Sequence, residues 1–319
     1  GKSNILEGIY YFARGKSFRG VPDKLLIRTG EEFGSLTLHC RADRDLYDTA
    51  LEAILPRTGR RKFTRGGAPL SGVRELVGSF RAVLFCPEHL SLIKDGPAER
   101  RNYLDIAISR ISQKYIHSLQ RYNYFLKQRN SLIKSAYNDR GSFDATVDLW
   151  SEKLAEEAAY LSGERYKFIL RISPFVNEFL NKMTGEREST ELIYRGSAGL
   201  DGEQYLDADL VKEKYLKLFS SSHDREIATG ATLWGIHKDD IEIKLNGKNA
   251  RIFASQGQQR SLALALKLSE GEVTREEFGD YPVFLFDDVL SELDETRRDS
   301  LLLFDTDKQV IISTCEVEA

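Results

Sequence analysis

Val283-Phe284-Leu285-Phe286-Asp287-Asp288 is the stretch that decides the fold. Four apolar residues ending in paired acids describe a buried strand that delivers carboxylates to a metal site, the Walker B arrangement. In that role Asp287 holds Mg²⁺, directly or through water, and Asp288 orients or deprotonates the attacking water. A strand running into an acidic turn has the same composition, so the neighbouring sequence has to choose between the two.

Thirty-two residues ahead of Asp287 stands Ser255-Gln256-Gly257-Gln258-Gln259-Arg260, which opens the run SLALALKLSE. Ser255 and Gln258 have capping-box spacing and predict a helix start. Gly257 also lets a ligand approach the backbone, and a helix N-terminus favours an anion. Directly behind the paired acids comes Ser291-Glu292-Leu293-Asp294. At the other end, Gly1-Lys2-Ser3 matches the close of G-x-x-x-x-G-K-[ST] and precedes a helix expected over 4–13. In such a loop the lysine reaches the β/γ-phosphates and the hydroxyl holds Mg²⁺. Gly15-Lys16-Ser17 repeats the tripeptide but fails as a P-loop, because Tyr10 stands where the first glycine belongs. The only methionine is Met183. Sequence is therefore expected ahead of Gly1, with a glycine five positions upstream, and the chain as it stands is expected to bind ATP poorly.

Composition narrows the class. The chain has 319 residues, room for two domains of roughly 150 each. With 41% apolar and 30% charged residues, wholesale disorder is excluded. No apolar run approaches the ~18 residues of a membrane span. Three scattered cysteines predict a reducing, cytoplasmic setting with no disulfide framework. Cys86-x-x-His89 lacks a second ligand pair, so no structural zinc is expected. The net charge of −3 hides local asymmetry. Residues 100–140 carry nine Lys/Arg against two Asp/Glu, and 57–65 hold Arg57, Arg60, Arg61, Lys62 and Arg65 with no acid. Such patches permit a nucleic-acid partner.

Short strands are predicted at 35–42, 50–55, 60–64 and 81–86. The texture then changes to helices. One apolar stripe runs from Leu104 through Ile108, Tyr115, Tyr122 and Ile133; a second runs from Val147 to Ile172, where Pro174 is expected to stop it. With a turn at 138–142 between them, an antiparallel pair of helices about 45 Å long follows. The aromatic stripe reads better as a packing seam than as a base-stacking surface. Strand character returns with Ile241–Leu245, then an Asn246-Gly247 hairpin turn into Ala250–Ala254, and later 283–286 and 309–313.

The order P-loop remnant, S-x-G-Q, Walker B and S-x-L-D resembles the ABC-type ATPases of DNA repair. About 250 residues separate Lys2 from Ser255, too few for the long coiled coils of the structural-maintenance members. Five stretches narrow the resemblance to the bacterial RecF family and span essentially the whole chain: GKSNILEGIYYFARGKSFRG at the start, VLFCPEHLSLIKDGPAERRNYLD at 83–105, WGIHKDDIEIKLNGK at 234–248, ASQGQQRSLALALKL at 254–268 and FLFDDVLSELD at 284–294.

The resemblance implies an α/β fold: an ABC-type P-loop ATPase head of mixed and antiparallel sheets with helices, carrying an inserted antiparallel helical lobe. The expected division is 1–98 and 223–319 for the head and 99–222 for the insertion. It implies ATP and Mg²⁺ as cofactors, with Gly1, Lys2, Ser3 and Asn4 on one side of the nucleotide. Ser255, Gly257, Gln258 and Asp294 of a second copy complete the site. Thr314 takes the position where transport ATPases carry a switch histidine, Asp288 stands where they carry glutamate, and no Q-loop glutamine lies near Pro87-Glu88. A weak, DNA-stimulated ATPase is implied, dimerising with ATP on double-stranded DNA near gaps and acting with RecR and RecO to load RecA. The alternative is a DNA- and RecR-binding scaffold with a vestigial ATP site. A small-molecule kinase would leave the signature and D-loop idle. Expected DNA contacts are Arg14, Lys16, Arg19, Arg57, Arg60, Arg61, Lys62 and Arg65, with the basic stretch 100–140 as second choice.

Overall fold

The computed structural model describes residues 2–42, 47–289 and 308–314. In chain order the elements are α1 (Lys2–Arg14), β1 (Phe33–Cys40), β2 (Thr49–Pro56), β3 (Lys62–Arg65), β4 (Ala68–Leu70), α2 (Val73–Leu76), β5 (Ala82–Phe85), α3 (Ser91–Lys94), α4 (Pro97–Ile111), α5 (Gln113–Ser135) and α6 (Arg140–Thr184). Then follow β6 (Thr190–Arg195), α7 (Ala208–Ser220), α8 (His223–Thr229), β7 (Asp240–Leu245), β8 (Lys248–Asn249), α9 (Ala250–Phe253), α10 (Gln256–Phe278), β9 (Val283–Asp287) and β10 (Val310–Ser313). The chain divides into two compact units. One holds Gly1–Leu90, Phe175–Glu188 and Ser255–Ala319; the other holds Ser91–Pro174 and Ser189–Ala254.

In the first unit the core forms around α1. Its sequence buries Leu6, Tyr10, Tyr11, Phe12 and Ala13 on more than one side, as a helix enclosed by two layers must. One layer is the antiparallel sheet β1-β2-β3-β4, which turns Leu51, Ala53, Leu55 and Phe63 toward α1 and alternates with solvent-facing residues. The other is the parallel sheet β10-β9-β5, whose β5 is buried at every position and whose β9 is buried from Phe284 to Asp287. Continuous apolar runs suit a parallel sheet covered on both faces. Gly15, at φ 71°, ends α1, so Gly15-Lys16-Ser17 sits at the wrong end of a helix to cradle phosphate.

The second unit departs from expectation in three places. The stripe from Leu104 to Ile133 is two helices: Ser112 is extended and its hydroxyl accepts from the Tyr115 N–H, starting α5 anew. Pro174 does not stop α6, which runs on to Thr184. Buried Ile172, Val176, Phe179, Leu180 and Met183 continue the apolar seam past it, offsetting a cost of about 3 kcal/mol. The Asn246-Gly247 turn forms with both residues at positive φ, but β8 is two residues long and 250–254 is not a strand. The Asn249 side chain accepts from the Arg251 N–H and caps α9 instead.

Residues 223–254, expected with the head, lie in the second unit because β7 pairs with β6 along its whole length, from Thr190 opposite Leu245 to Arg195 opposite Asp240. That unit therefore has its own antiparallel sheet and is not purely helical. The last turns of α6, Phe175–Thr184, belong with the first unit.

The stretch Gly235–Asp240 is held by buried charge. Asp239, fully buried, accepts from Arg165 at 3.0 Å, from the Tyr194 hydroxyl and from the Ser197 N–H at 2.8 Å. Arg165 also reaches Asp105 at 2.8 Å and the Ile236 carbonyl at 2.7 Å, while Arg100 grips Asp240 at 2.6 Å. Beside them His237 Nε2 donates to the Thr232 carbonyl at 3.1 Å, which leaves Nδ1 to accept from the Tyr122 hydroxyl at 2.7 Å. Burial lowers the His237 pKa to about 4, with Lys238, Arg101 and Arg165 pushing the same way. The unfolded imidazole titrates near 6.5, so it takes up a proton first as pH falls. This contribution to stability is complete above about pH 6.5 and is lost toward pH 4, by roughly 3 kcal/mol in all. His237→Gln is expected to flatten the decline of the urea midpoint between about pH 7 and about pH 5. Equal slopes for the two proteins would refute that origin.

Candidate functional site

β9 and β10 are parallel, and their register sets Ser313 opposite Asp287. Sequence-distant groups converge at that end of the two strands. The Ser313 hydroxyl, buried, donates to Asp287 Oδ1 at 2.5 Å, and Asp287 itself is 8% exposed. The Asp288 N–H donates to the Ser313 carbonyl at 3.0 Å. Asp288 sits at φ 53°, a left-handed conformation that Asp tolerates better than most residues. Lys2 Nζ, at the start of α1, donates to the Thr314 carbonyl at 2.8 Å. The carboxyl ends of parallel strands facing a helix N-terminus are where open α/β sheets take ligands. α1 has no acidic residue in its first turn, and the first-turn N–H groups of a helix have no intrahelical partner and favour an anion.

Lys2, Asp287, Asp288 and Thr314 are thus brought together, with half-buried Ser3 and exposed Asn4 on the same first turn of α1. Ser313 was not singled out from sequence; its signal is the parallel register of the last strand. The donor set is hard oxygen, a hydroxyl from Ser3 and a carboxylate from Asp287, which suits Mg²⁺ shared with phosphates and water. Among the described residues no group of three or more His, Cys, Asp or Glu forms a metal cage. Cys86 and His89 instead close a turn, His89 Nδ1 accepting from the Cys86 N–H at 3.1 Å, and burial raises the thiol pKa.

The Ser255 segment starts α10 with a complete capping box. Gln258 N–H donates to Ser255 Oγ at 3.3 Å, and the Ser255 N–H donates to Gln258 Oε1 at 2.8 Å. Gln258 Nε2 is taken by Glu188 at 2.8 Å. Ser255 accepts in this arrangement and keeps its hydroxyl hydrogen for another acceptor. Gly257 lies in the first turn, where backbone N–H groups lack intrahelical partners. Gly1 and Asp294, together with the rest of the S-x-L-D motif, lie outside the described residues.

The expected DNA contacts separate into two groups. Arg61 is built into the fold: it donates to the Gly15 carbonyl at 2.8 Å and to Asp23 at 3.0 Å, and it touches the Tyr11 hydroxyl, whose pKa burial raises to about 12. Arg57 holds the carbonyls of Glu31 and Arg28. Arg19 turns back to α1, pairing with Glu7 at 3.3 Å and donating to Asn4 Oδ1 at 3.4 Å. Lys16, Arg60, Lys62 and Arg65 are exposed. The neighbouring charge of Arg14 lowers the Lys16 pKa, which marks two cations set close together. The basic stretch 100–140 is less available than its count suggests, because Arg100, Arg110 and Arg129 are buried.

The RecF protein of Ruminiclostridium cellulolyticum, a DNA replication and repair protein, is 37% identical over 302 residues, 95% of this chain and 80% of the relative. The RecF protein of Alkaliphilus oremlandii is 36% identical over 318 residues, 100% of this chain and 85% of the relative. The chain belongs to the RecF family. No protein-family model matches it. A solved structure of the recombination mediator protein RecF-ATPrS in the RecFOR pathway matches with a TM-score of 0.91 at 34% identity, over 99% of this chain and 84% of that one. The RecF-ATP structure matches with a TM-score of 0.87 at 35% identity, over 98% and 84%. An Smc head domain from Pyrococcus furiosus, at a TM-score of 0.51 and 16% identity over 98% of this chain and 81% of that one, shares the fold alone. The RecF fold here is accordingly that of an ABC-type ATPase head, as its motif order implied.

Proposed function

We propose that this RecF-family chain is an ATP-switched DNA-binding protein of recombinational repair. The observation that carries the reading is the Lys2 ammonium at the start of α1, resting on the Thr314 carbonyl at 2.8 Å at the end of β10. A phosphate is a stronger acceptor for that ammonium than a neutral carbonyl is. The first-turn N–H groups of α1 add a field that favours anions. Ser3 and Asp287 would hold Mg²⁺, which offsets charge on the transferring phosphoryl group. Asp288 orients the attacking water and accepts its proton. Thr314 offers a hydroxyl to the γ-phosphate but has no titratable proton, which suits slow turnover used as a switch. The hydroxyl hydrogen of Ser255 and the N–H of Gly257 in a second copy close over the same ATP, so that nucleotide joins two heads. Gln258, Gly1 and Asp294 keep the roles their motifs imply.

Two heads joined in this way present Arg14, Lys16, Arg60, Lys62 and Arg65 to DNA phosphates, and binding then falls steeply with salt. Arg19 moves from that footprint to the nucleotide side, given its place beside Asn4. Placement in the cytoplasm, action at gaps with RecR and RecO, and promotion of RecA loading belong to the same proposal, and family membership supports them. No described helix is long and apolar enough to cross a membrane.

Made in a chain that carries the whole phosphate loop, Lys2→Ala is expected to weaken ATP-dependent dimerisation by about tenfold or more, measured by light scattering with and without ATP, since one charge-assisted bond is worth roughly 1.5–3 kcal/mol. Unchanged dimerisation in a variant with an unchanged melting curve would overturn the mechanism. ATP titration of the same loop-complete protein, with and without duplex, separates this switch from a scaffold whose ATP site is vestigial.

A further inference from the structure

α5 contains five Lys/Arg and no Asp or Glu in 23 residues. Arg129 is buried, but Lys114, Arg121, Lys127 and Lys134 are exposed. Along the edge where α5 meets α6, cations alternate with rings. Lys114 lies over the Tyr160 ring at 4.4 Å, and Lys153 over Phe125 at 5.9 Å. Tyr124, Phe125 and Trp150 form a cluster of tilted and edge-on pairs at 5.7–6.4 Å. Tyr124 is 54% exposed. Two carboxylates border this strip: Glu157, buried and already taken by Arg121 at 2.6 Å and by the Ser118 hydroxyl, and half-buried Glu164 beside Tyr160, which pairs with Lys167 at 2.9 Å. On the outer side of α6, Glu152 pairs with Lys212 at 3.5 Å, and Asp148 and Glu156 are exposed.

An exposed ring, Tyr124, beside half-buried Phe125 and Trp150 and edged by cations, suits a ligand with flat faces and a negative backbone. Duplex DNA would use the cations and leave the ring faces idle, because its bases are stacked on one another. Unpaired bases have faces to offer, and base–aromatic stacking is tolerant of sequence. We infer that the α5–α6 edge binds an unpaired DNA strand, with bases stacking on Tyr124 and Trp150 and phosphates meeting Lys114 and Lys153. Lys114 to Tyr124 spans about 15 Å of helix, in keeping with the ~4-nucleotide lower end of single-strand sites. The inference deepens the DNA-binding reading above, and its test omits ATP, so failure of the nucleotide switch leaves it measurable.

The test is titration of the protein with fluorescein-labelled oligothymidylate of about 15 nucleotides, beside a duplex of equal length. The two tryptophans are Trp150 and Trp234, and Trp234 is held through its Nε1 donating to Ser222 at 2.8 Å. Oligothymidylate is expected to quench the wild-type emission, and Trp150→Phe is expected to lose most of that quench. Tyr124→Ala, at an exposed position that folding does not require, should weaken oligothymidylate binding by roughly 5- to 100-fold and change duplex binding less than about twofold. Lys153→Glu should weaken it too and reduce the salt slope by about one phosphate contact. Unchanged oligothymidylate affinity in Tyr124→Ala, equal losses for duplex and single strand, or competition by polyglutamate as effective as by oligothymidylate would each overturn the assignment. The last result would point to an acidic protein partner.

Discussion

Asp288→Asn is expected to lower ATP turnover by about 100-fold or more while nucleotide binding survives, the range for loss of a positioned general base. The choice of substitution follows from the backbone. Asp288 is at φ 53° and anchors through its N–H to the Ser313 carbonyl at 3.0 Å. Asn is among the few residues that accept this conformation, so the change removes the carboxylate charge and leaves the turn intact. Alanine would mix lost chemistry with backbone strain. Single-turnover hydrolysis beside equilibrium ATP binding separates the two effects. Turnover within a few-fold of wild type would take Asp288 out of the reaction, and parallel loss of binding would make it a structural residue. If the paired-head reading holds, the same variant accumulates the ATP-bound dimer.

Arg129→Met is expected to destabilise the protein by about 3–5 kcal/mol, the range for stranding a buried charge. Arg129 and Glu226 are both fully buried, joined at 2.7 Å. The other nitrogens of Arg129 donate to Ser151 and Thr232, each at 3.0 Å, and its guanidinium lies over the Phe219 ring at 4.6 Å. Met fills much of the volume but leaves Glu226 facing α5 without its cation. Urea unfolding at neutral pH measures the loss. Pairing the change with Glu226→Gln should recover part of it, because an uncharged amide costs less to bury than a stranded carboxylate. A single variant within about 1 kcal/mol of wild type, the scale of an exposed pair, would mean that water reaches the site.

The two experiments probe residues of opposite legibility. Asp288 could be named from sequence because its message is local: a buried apolar run followed at once by acids. The Ser255–Gln258 cap and the Asn246-Gly247 turn were legible for the same reason, each being complete within four residues. Arg129 carried no such message. Counted along the chain it belongs to a basic patch, and only its partner, 97 positions away, reveals it as an interior residue. Pro174 shows the reverse failure. A local rule that ends helices was overridden because packing continues on both sides of the proline.

By itself, the sequence determined the class of this protein: the order of phosphate loop, signature and paired acids, the strands and helices that carry them, and membership in a family of DNA-repair ATPases. Tertiary structure alone decided which residues meet. It brought Lys2 to Thr314 across 312 positions and set Ser313 against Asp287. It moved 223–254 into the second unit, and it divided the arginines into those that hold the fold and those left exposed. The physical reason is range. Turns, caps and periodicity are settled among near neighbours in the chain, whereas strand register and buried charge pairs exist only once distant segments have packed together.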